Sequence, residues 1–129
     1  MEVSEAQEMY LETILFLLMN KKRVISIDVA KYMGYSKPTV SVMMKQFRDE
    51  GLINMDYDSG ITLTDKGLSI AQKIYEKHEL LAAFFMALGV DKDTAYKDAC
   101  KIEHDISDST FSLLKKHYKE IRSNKRTLF

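Results

Sequence analysis

The sequence predicts a mainly α-helical protein: an N-terminal winged helix-turn-helix with a small β-hairpin wing, followed by an all-α dimerisation domain. Three observations carry this. Apolar residues recur at helical spacing over long stretches, with one proline and five glycines to interrupt 129 residues. Two short segments are joined across Gly34, the second opening on Ser36 with Pro38 in its first turn. Two alternating stretches, 52–55 and 61–63, flank Asp58-Ser59-Gly60 as hairpin strands flank a turn.

The first helix is expected from Ser4 to about Asn20. Tyr10, Ile14, Leu17 and Leu18 form its core stripe, and Met9 and Glu12 lie about 60° apart on another side. Ser26 is the expected N-cap of a short second helix that stops at Gly34 in a positive-φ turn. Ser36 caps the third helix, which ends near Glu50-Gly51. Ser36, Lys37, Pro38, Thr39, Ser41 and Lys45 on this helix are the candidate DNA-contacting residues. Those in the first turns can reach base edges or phosphates, whereas Lys45 and Arg48 reach mainly phosphates. The hairpin tip carries Asp56 and Asp58 and no basic residue, the wrong sign for gripping phosphate.

Thr64-Asp65 starts a long helix to Leu88 whose end, Leu80 to Leu88, is apolar at every position. Such a block needs cover on all sides, which predicts a homodimer. Helices from Asp91 to about Ile106 and from Asp108 to about Arg122 complete the chain, with the domains dividing into 1–64 and 65–129.

Charge excludes some classes of function. The net charge is zero, yet residues 21–48 hold seven basic residues against Asp28 alone, and residues 115–126 hold six against Glu120. A basic segment in a neutral chain fits a nucleic-acid-facing subdomain, and the basic end is expected to cover a dimer flank or fray. A single cysteine rules out an internal disulfide framework. The acidic N-terminus does not resemble a signal peptide, and the apolar run from Ile14 to Met19 is too short to span a bilayer, so a cytoplasmic protein with no membrane partner is expected. His78-Glu79 begins like a zinc-protease motif, but the required second histidine is Ala82, so no enzyme is expected.

Cys100, Glu103 and His104 would share an arc of about 100° on a continuous helix. Thiolate, carboxylate and imidazole together suit a transition metal and not calcium or magnesium. The competing reading is a buried cysteine beside a solvated Glu-His pair.

Glu8-Met9-Tyr10-Leu11, Ser36-Lys37-Pro38-Thr39-Val40-Ser41, Lys77-His78-Glu79-Leu80-Leu81 and Asp98-Ala99-Cys100-Lys101-Ile102-Glu103-His104 occur in an order and at spacings similar to the diphtheria toxin repressor and manganese transport regulator family, over about residues 5 to 113. The resemblance implies a dimeric metal-dependent repressor of metal-uptake genes, built like the shorter manganese regulators. It carries the iron-type regulatory ligands onto Met9, Cys100, Glu103 and His104. Of an ancillary site it keeps His78, the other two positions reading Ala82 and Tyr96. The manganese type has an aspartate at Met9, a glutamate at Glu12 and a glutamate at Cys100, so the chain is a mosaic of both types.

Thioether and thiolate donors favour Fe(II) over Mn(II), which stands as the alternative, while Co(II), Ni(II) or Zn(II) are expected to substitute in vitro. An ion held by Met9 and Glu12 in the first domain and by His78, Cys100, Glu103 and His104 in the second would pin the two domains. In a dimer that sets two recognition helices about 34 Å apart, matching a palindromic operator in double-stranded DNA. Such a switch needs roughly 5 kcal/mol of differential metal binding. The rival is a metal-independent winged-helix regulator answering to a small organic ligand.

Overall fold

The computed structural model describes residues 3–123. The order is α1 (Glu5–Asn20), α2 (Ser26–Met33), α3 (Lys37–Asp49), β1 (Ile53–Met55), β2 (Ile61–Leu63), α4 (Asp65–Ala87), α5 (Lys92–Ile102) and α6 (Asp108–Ser123). The chain forms two compact units that divide inside α4, between Lys73 and Ile74. The basic residues Lys125 and Arg126 lie outside the described residues.

Local chemistry sets the first unit's boundaries. Ser4 Oγ accepts from the Gln7 N–H at 3.1 Å while Gln7 Oε1 accepts from the Ser4 N–H at 2.9 Å, a reciprocal cap for α1. The N-cap of α2 is Ile25, not the expected Ser26. The Ile25 N–H donates to Asp28 Oδ2 at 2.9 Å, so the carboxylate in the first turn does the work assigned to the serine. Gly34 ends α2 with φ 73°, a conformation that costs glycine little. Ser36 caps α3, its Oγ accepting from the Thr39 N–H. Val40, Met44 and Phe47 of α3 are buried, and Phe47 meets the edge of Tyr10 from α1 at 5.6 Å between ring centres.

β1 and β2 pair antiparallel with Ile53 opposite Leu63 and Met55 opposite Ile61. The Ile61 N–H also donates to the Val24 carbonyl at 2.7 Å, tying the hairpin to the segment before α2. Thr64 Oγ1 accepts from the Gly67 N–H at 3.0 Å and donates to the Gly51 carbonyl at 2.7 Å, so one hydroxyl both caps α4 and fixes the end of β2.

In the second unit Leu81 and Ala82 of α4 pack with Ala95 and Ala99 of α5, ringed by Phe85, Val90, Tyr96 and Leu114. The apolar block of α4 is thus covered in part by its own chain: Leu81, Ala82 and Phe84 are buried, whereas Leu88 stays 54% exposed. α5 ends at Ile102, four residues before the expected Ile106. The backbone then tightens into a turn that leads to α6. Asp105 N–H turns back to the Ile102 carbonyl, Lys77 Nζ donates to the Ile106 carbonyl at 3.0 Å, and Ser107 Oγ accepts from the Thr110 N–H to start α6.

Candidate metal centre and nucleic-acid interface

In the second unit three of the residues singled out in the sequence come together. Glu103, whose side chain has no exposed surface, stands at the C-terminal end of α5. Its Oε2 lies 2.6 Å from His78 Nδ1 on α4, and its Oε1 lies 3.3 Å from His104 Nε2 on the next residue. The His104 side chain is almost as deeply buried. His78 is braced from one side by the Tyr96 ring, 5.2 Å away between centres, and Tyr96 in turn donates its hydroxyl to Glu79 Oε2 at 2.9 Å. That hydrogen bond to a carboxylate, with burial second, raises the Tyr96 phenol above its ordinary value, so the donor stays protonated. At one position where the resemblance implies an ancillary ligand, the chain thus places the Tyr96 ring against His78.

The donor chemistry fits a first-row divalent cation. Two imidazoles and a carboxylate are the nitrogen and oxygen donors such ions take, and a wholly buried carboxylate that meets two imidazoles is an unusual expense for a fold to bear without use. The partners of these donors also match the pattern of metal sites, in which a ligating histidine is held in orientation by a neighbouring side chain.

Other expectations meet a different geometry. α5 stops at Ile102, so Glu103 caps its end and His104 lies in the turn that follows, whereas Cys100 is still on the helix. Cys100 is exposed on α5, which also overturns the competing reading of a buried thiol. Met9 and Glu12 are both half-buried on α1. Lys77, given no role in the sequence reading, is buried beside His78, with its Nζ 3.2 Å from Asp108 Oδ1 as well as on the Ile106 carbonyl.

On the first unit, Ser36, Lys37, Pro38, Thr39 and Lys45 are exposed along α3, and Ser41 is half-buried. The Ser36 hydroxyl is already engaged at the helix start, donating to Thr39 Oγ1 at 2.8 Å. The wing is not the bare acidic tip its sequence implies. Arg23 reaches it with two N–H groups on the Asp56 carboxylate, at 2.9 and 3.0 Å, and a third contact to the Asp58 carbonyl at 3.0 Å. Asp56 Oδ1 also accepts from the N–H groups of Asp58 and Gly60. The fork geometry of guanidinium on carboxylate thus neutralises and stiffens the turn.

Arg23 first, then the Gly60 N–H, lower the Asp56 carboxyl from its ordinary 3.8 to about 2. A carboxyl depressed in the folded state stabilises above its unfolded value and loses that contribution as pH falls through about 2. The melting-temperature gap between wild type and Asp56→Asn is therefore expected to be widest near neutrality and to close between about pH 4 and 2. A gap independent of pH would show that the pairing contributes nothing. Both side chains are half exposed, so the gap is modest.

Comparison with known proteins divides the chain ahead of α4, about ten residues before the break between the two compact units. Residues 2–61 match the family model described as the N-terminal DNA binding domain of iron dependent repressors, and residues 64–127 match their metal binding and dimerisation domain. An uncharacterized HTH-type transcriptional regulator of Methanocaldococcus jannaschii is 37% identical over 115 residues, which cover 88% of this chain and 92% of that protein. The transcriptional regulator MntR of Escherichia coli O157:H7 is 36% identical over 101 residues, 78% of this chain and 65% of MntR. Among solved structures, the manganese regulator SloR superposes with a TM-score of 0.74 at 32% identity, covering 92% of this chain and 55% of SloR. The metal-dependent transcriptional regulator MtsR gives a TM-score of 0.79 at 31% identity, covering 87% and 53%. The chain thus spans about half the length of these two solved relatives.

Proposed function

Since the chain belongs to the family of iron-dependent repressors, matched over both of its halves, we propose that it represses metal-uptake genes as a metal-activated, DNA-binding homodimer. The observation that carries this reading is Glu103, wholly buried between His78 and His104 in the half that matches the metal-binding domain. His78, Cys100, Glu103 and His104 of the second unit and Met9 and Glu12 of the first are the donors of the regulatory site. Held by these donors, a divalent cation would supply the positive charge that offsets their carboxylates, and the conformations that bring the donors together would be favoured. Glu103 contributes the carboxylate oxygens, His78 and His104 contribute ring nitrogens, and the Tyr96–Glu79 pair keeps the His78 ring turned to its task.

Ser36, Lys37, Pro38, Thr39, Ser41 and Lys45 face a palindromic operator, with Lys45 and Arg48 on the phosphates. Exposed Leu88, Ile102 and Leu113 are the apolar side chains that a second copy of the chain would cover. No helix among the described residues is long and apolar enough to cross a membrane.

Footprinting with Mn(II), or with Fe(II) under anaerobic conditions, tests the reading. Protection of operator DNA is expected with metal and not after chelation. Equal protection in excess EDTA would leave the metal-independent regulator as the answer.

The activating ion is Fe(II) on the strength of the soft donors Met9 and Cys100. Mn(II) is the second reading, favoured by the names of the relatives MntR and SloR and by the purely nitrogen and oxygen donors of the His78–Glu103–His104 trio. Cys100→Glu replaces a soft donor with a hard one. It is expected to lower the Mn(II) concentration for half-maximal DNA binding about tenfold relative to Fe(II). An unchanged metal preference would defeat the soft-donor argument for Fe(II).

A further inference from the structure

Val42 is out of place on α3. Val40, Met44 and Phe47 form the buried stripe of that helix, and at about 100° per residue Val42 points about 170° away from its centre. It is 65% exposed. Pro38 lies one turn earlier on the same outward line and Lys45 one turn later, both exposed. Valine is a weaker helix former than alanine, lysine or glutamine, and at this exposure it gains little from the protein's own core. Neither helix formation nor packing accounts for it. Lys45 is about 60° from Val42 around the helix. Exposed Lys37 and Arg48 leave the helix net basic against one exposed carboxylate, Asp49, which sits on the face of Val42 two turns on and pairs with Arg48 at 3.6 Å. Such a helix complements a phosphate-lined groove. Within the major groove, the apolar group that base edges present is the thymine 5-methyl.

Resting on the DNA-binding reading above, we propose that Val42 is a specificity-determining residue that reads a thymine 5-methyl group in each operator half-site, with Pro38 extending the apolar contact. The flanking Lys37 and Lys45 set the helix on the backbone, and the branched side chain between them selects thymine over cytosine, which lacks the methyl, and over uracil in the same hydrogen-bonding frame.

The test uses the full chain loaded with Mn(II) and a random-sequence duplex library. Selected sites are expected to hold a fixed A·T pair in each half-site. Replacing its thymine by deoxyuridine, which removes only the methyl, should weaken wild-type binding about fourfold per half-site, the factor expected for burial of one such group. Val42→Ala should bind the thymine and deoxyuridine sites equally, and its melting temperature should stay within about 2 °C of wild type because the position is exposed and alanine favours helix. Wild-type protein that tolerates deoxyuridine at every thymine, or Val42→Ala that keeps the fourfold penalty, would overturn the assignment of Val42 while leaving the repressor reading intact. Absence of any sequence preference in the selected pool would overturn both.

Discussion

Glu103→Gln is expected to abolish metal-dependent DNA binding and to weaken Mn(II) or Fe(II) affinity at least about 100-fold. The substitution preserves volume and one carbonyl oxygen, so the buried position is not emptied. What it removes is the anionic charge and the second acceptor, the features that let one side chain serve His78 at 2.6 Å and His104 at 3.3 Å. An amide is a poor ligand for a first-row divalent ion compared with a carboxylate. Calorimetry with Mn(II) and a gel shift under matched metal give the result, and circular dichroism of the metal-free variant confirms its fold. Wild-type DNA affinity for Glu103→Gln in excess Mn(II) would remove Glu103 from the regulatory site. His104→Ala is expected to behave alike in DNA binding, since the His104 ring is the other buried donor of that pair.

Gly67→Ala is expected to destabilise the first unit by about 3 kcal/mol, at the upper end for an overpacked site. In an ordinary helix the same change would stabilise by about 1 kcal/mol. Here the first turn of α4 passes so close to the residue ahead of β1 that an added Cβ would overlap the Leu52 carbonyl oxygen and sit 3.0 Å from its carbonyl carbon. The obstacle is backbone, which is itself committed: the Leu52 carbonyl accepts from the Thr64 N–H at 3.1 Å, and the Leu52 N–H donates to the Phe47 carbonyl at 2.9 Å. Moving it would disturb the junction of α3, the wing and α4 together. Urea unfolding of wild type and variant decides the matter. A Gly67→Ala protein as stable as wild type would mean that the close approach is relieved without cost.

The contrast between these two residues shows what a linear sequence carries. Helices α1 to α4 and α6 announce themselves through signals within one turn of their ends: Ser4, Ser36 and Thr64 as caps, Gly34 as a left-handed stop, and apolar residues at helical spacing. Features that depend on a partner far along the chain do not. Gly67 reads as an ordinary helix residue until Leu52 is placed against it, and Arg23 reads as part of a basic run until it is found on Asp56, 33 residues away. Lys77 of α4, on the Ile106 carbonyl 29 residues away, makes a contact of the same kind. His78 alone is an unremarkable helical histidine. Resemblance to a family drew it into the candidate site, and the 2.6 Å approach to Glu103 gives that assignment its physical content.

Consecutive residues of α4 grip one short turn at two points: Lys77 on the Ile106 carbonyl and His78 on the Glu103 carboxylate. Twin rungs of this kind make a stiff bracket of the segment between Glu103 and Ile106, and the rotational freedom of its side chains is surrendered during folding instead of at ion capture. An ion held by His78 and Glu103 would then meet donors already ordered, with a smaller entropic penalty on binding.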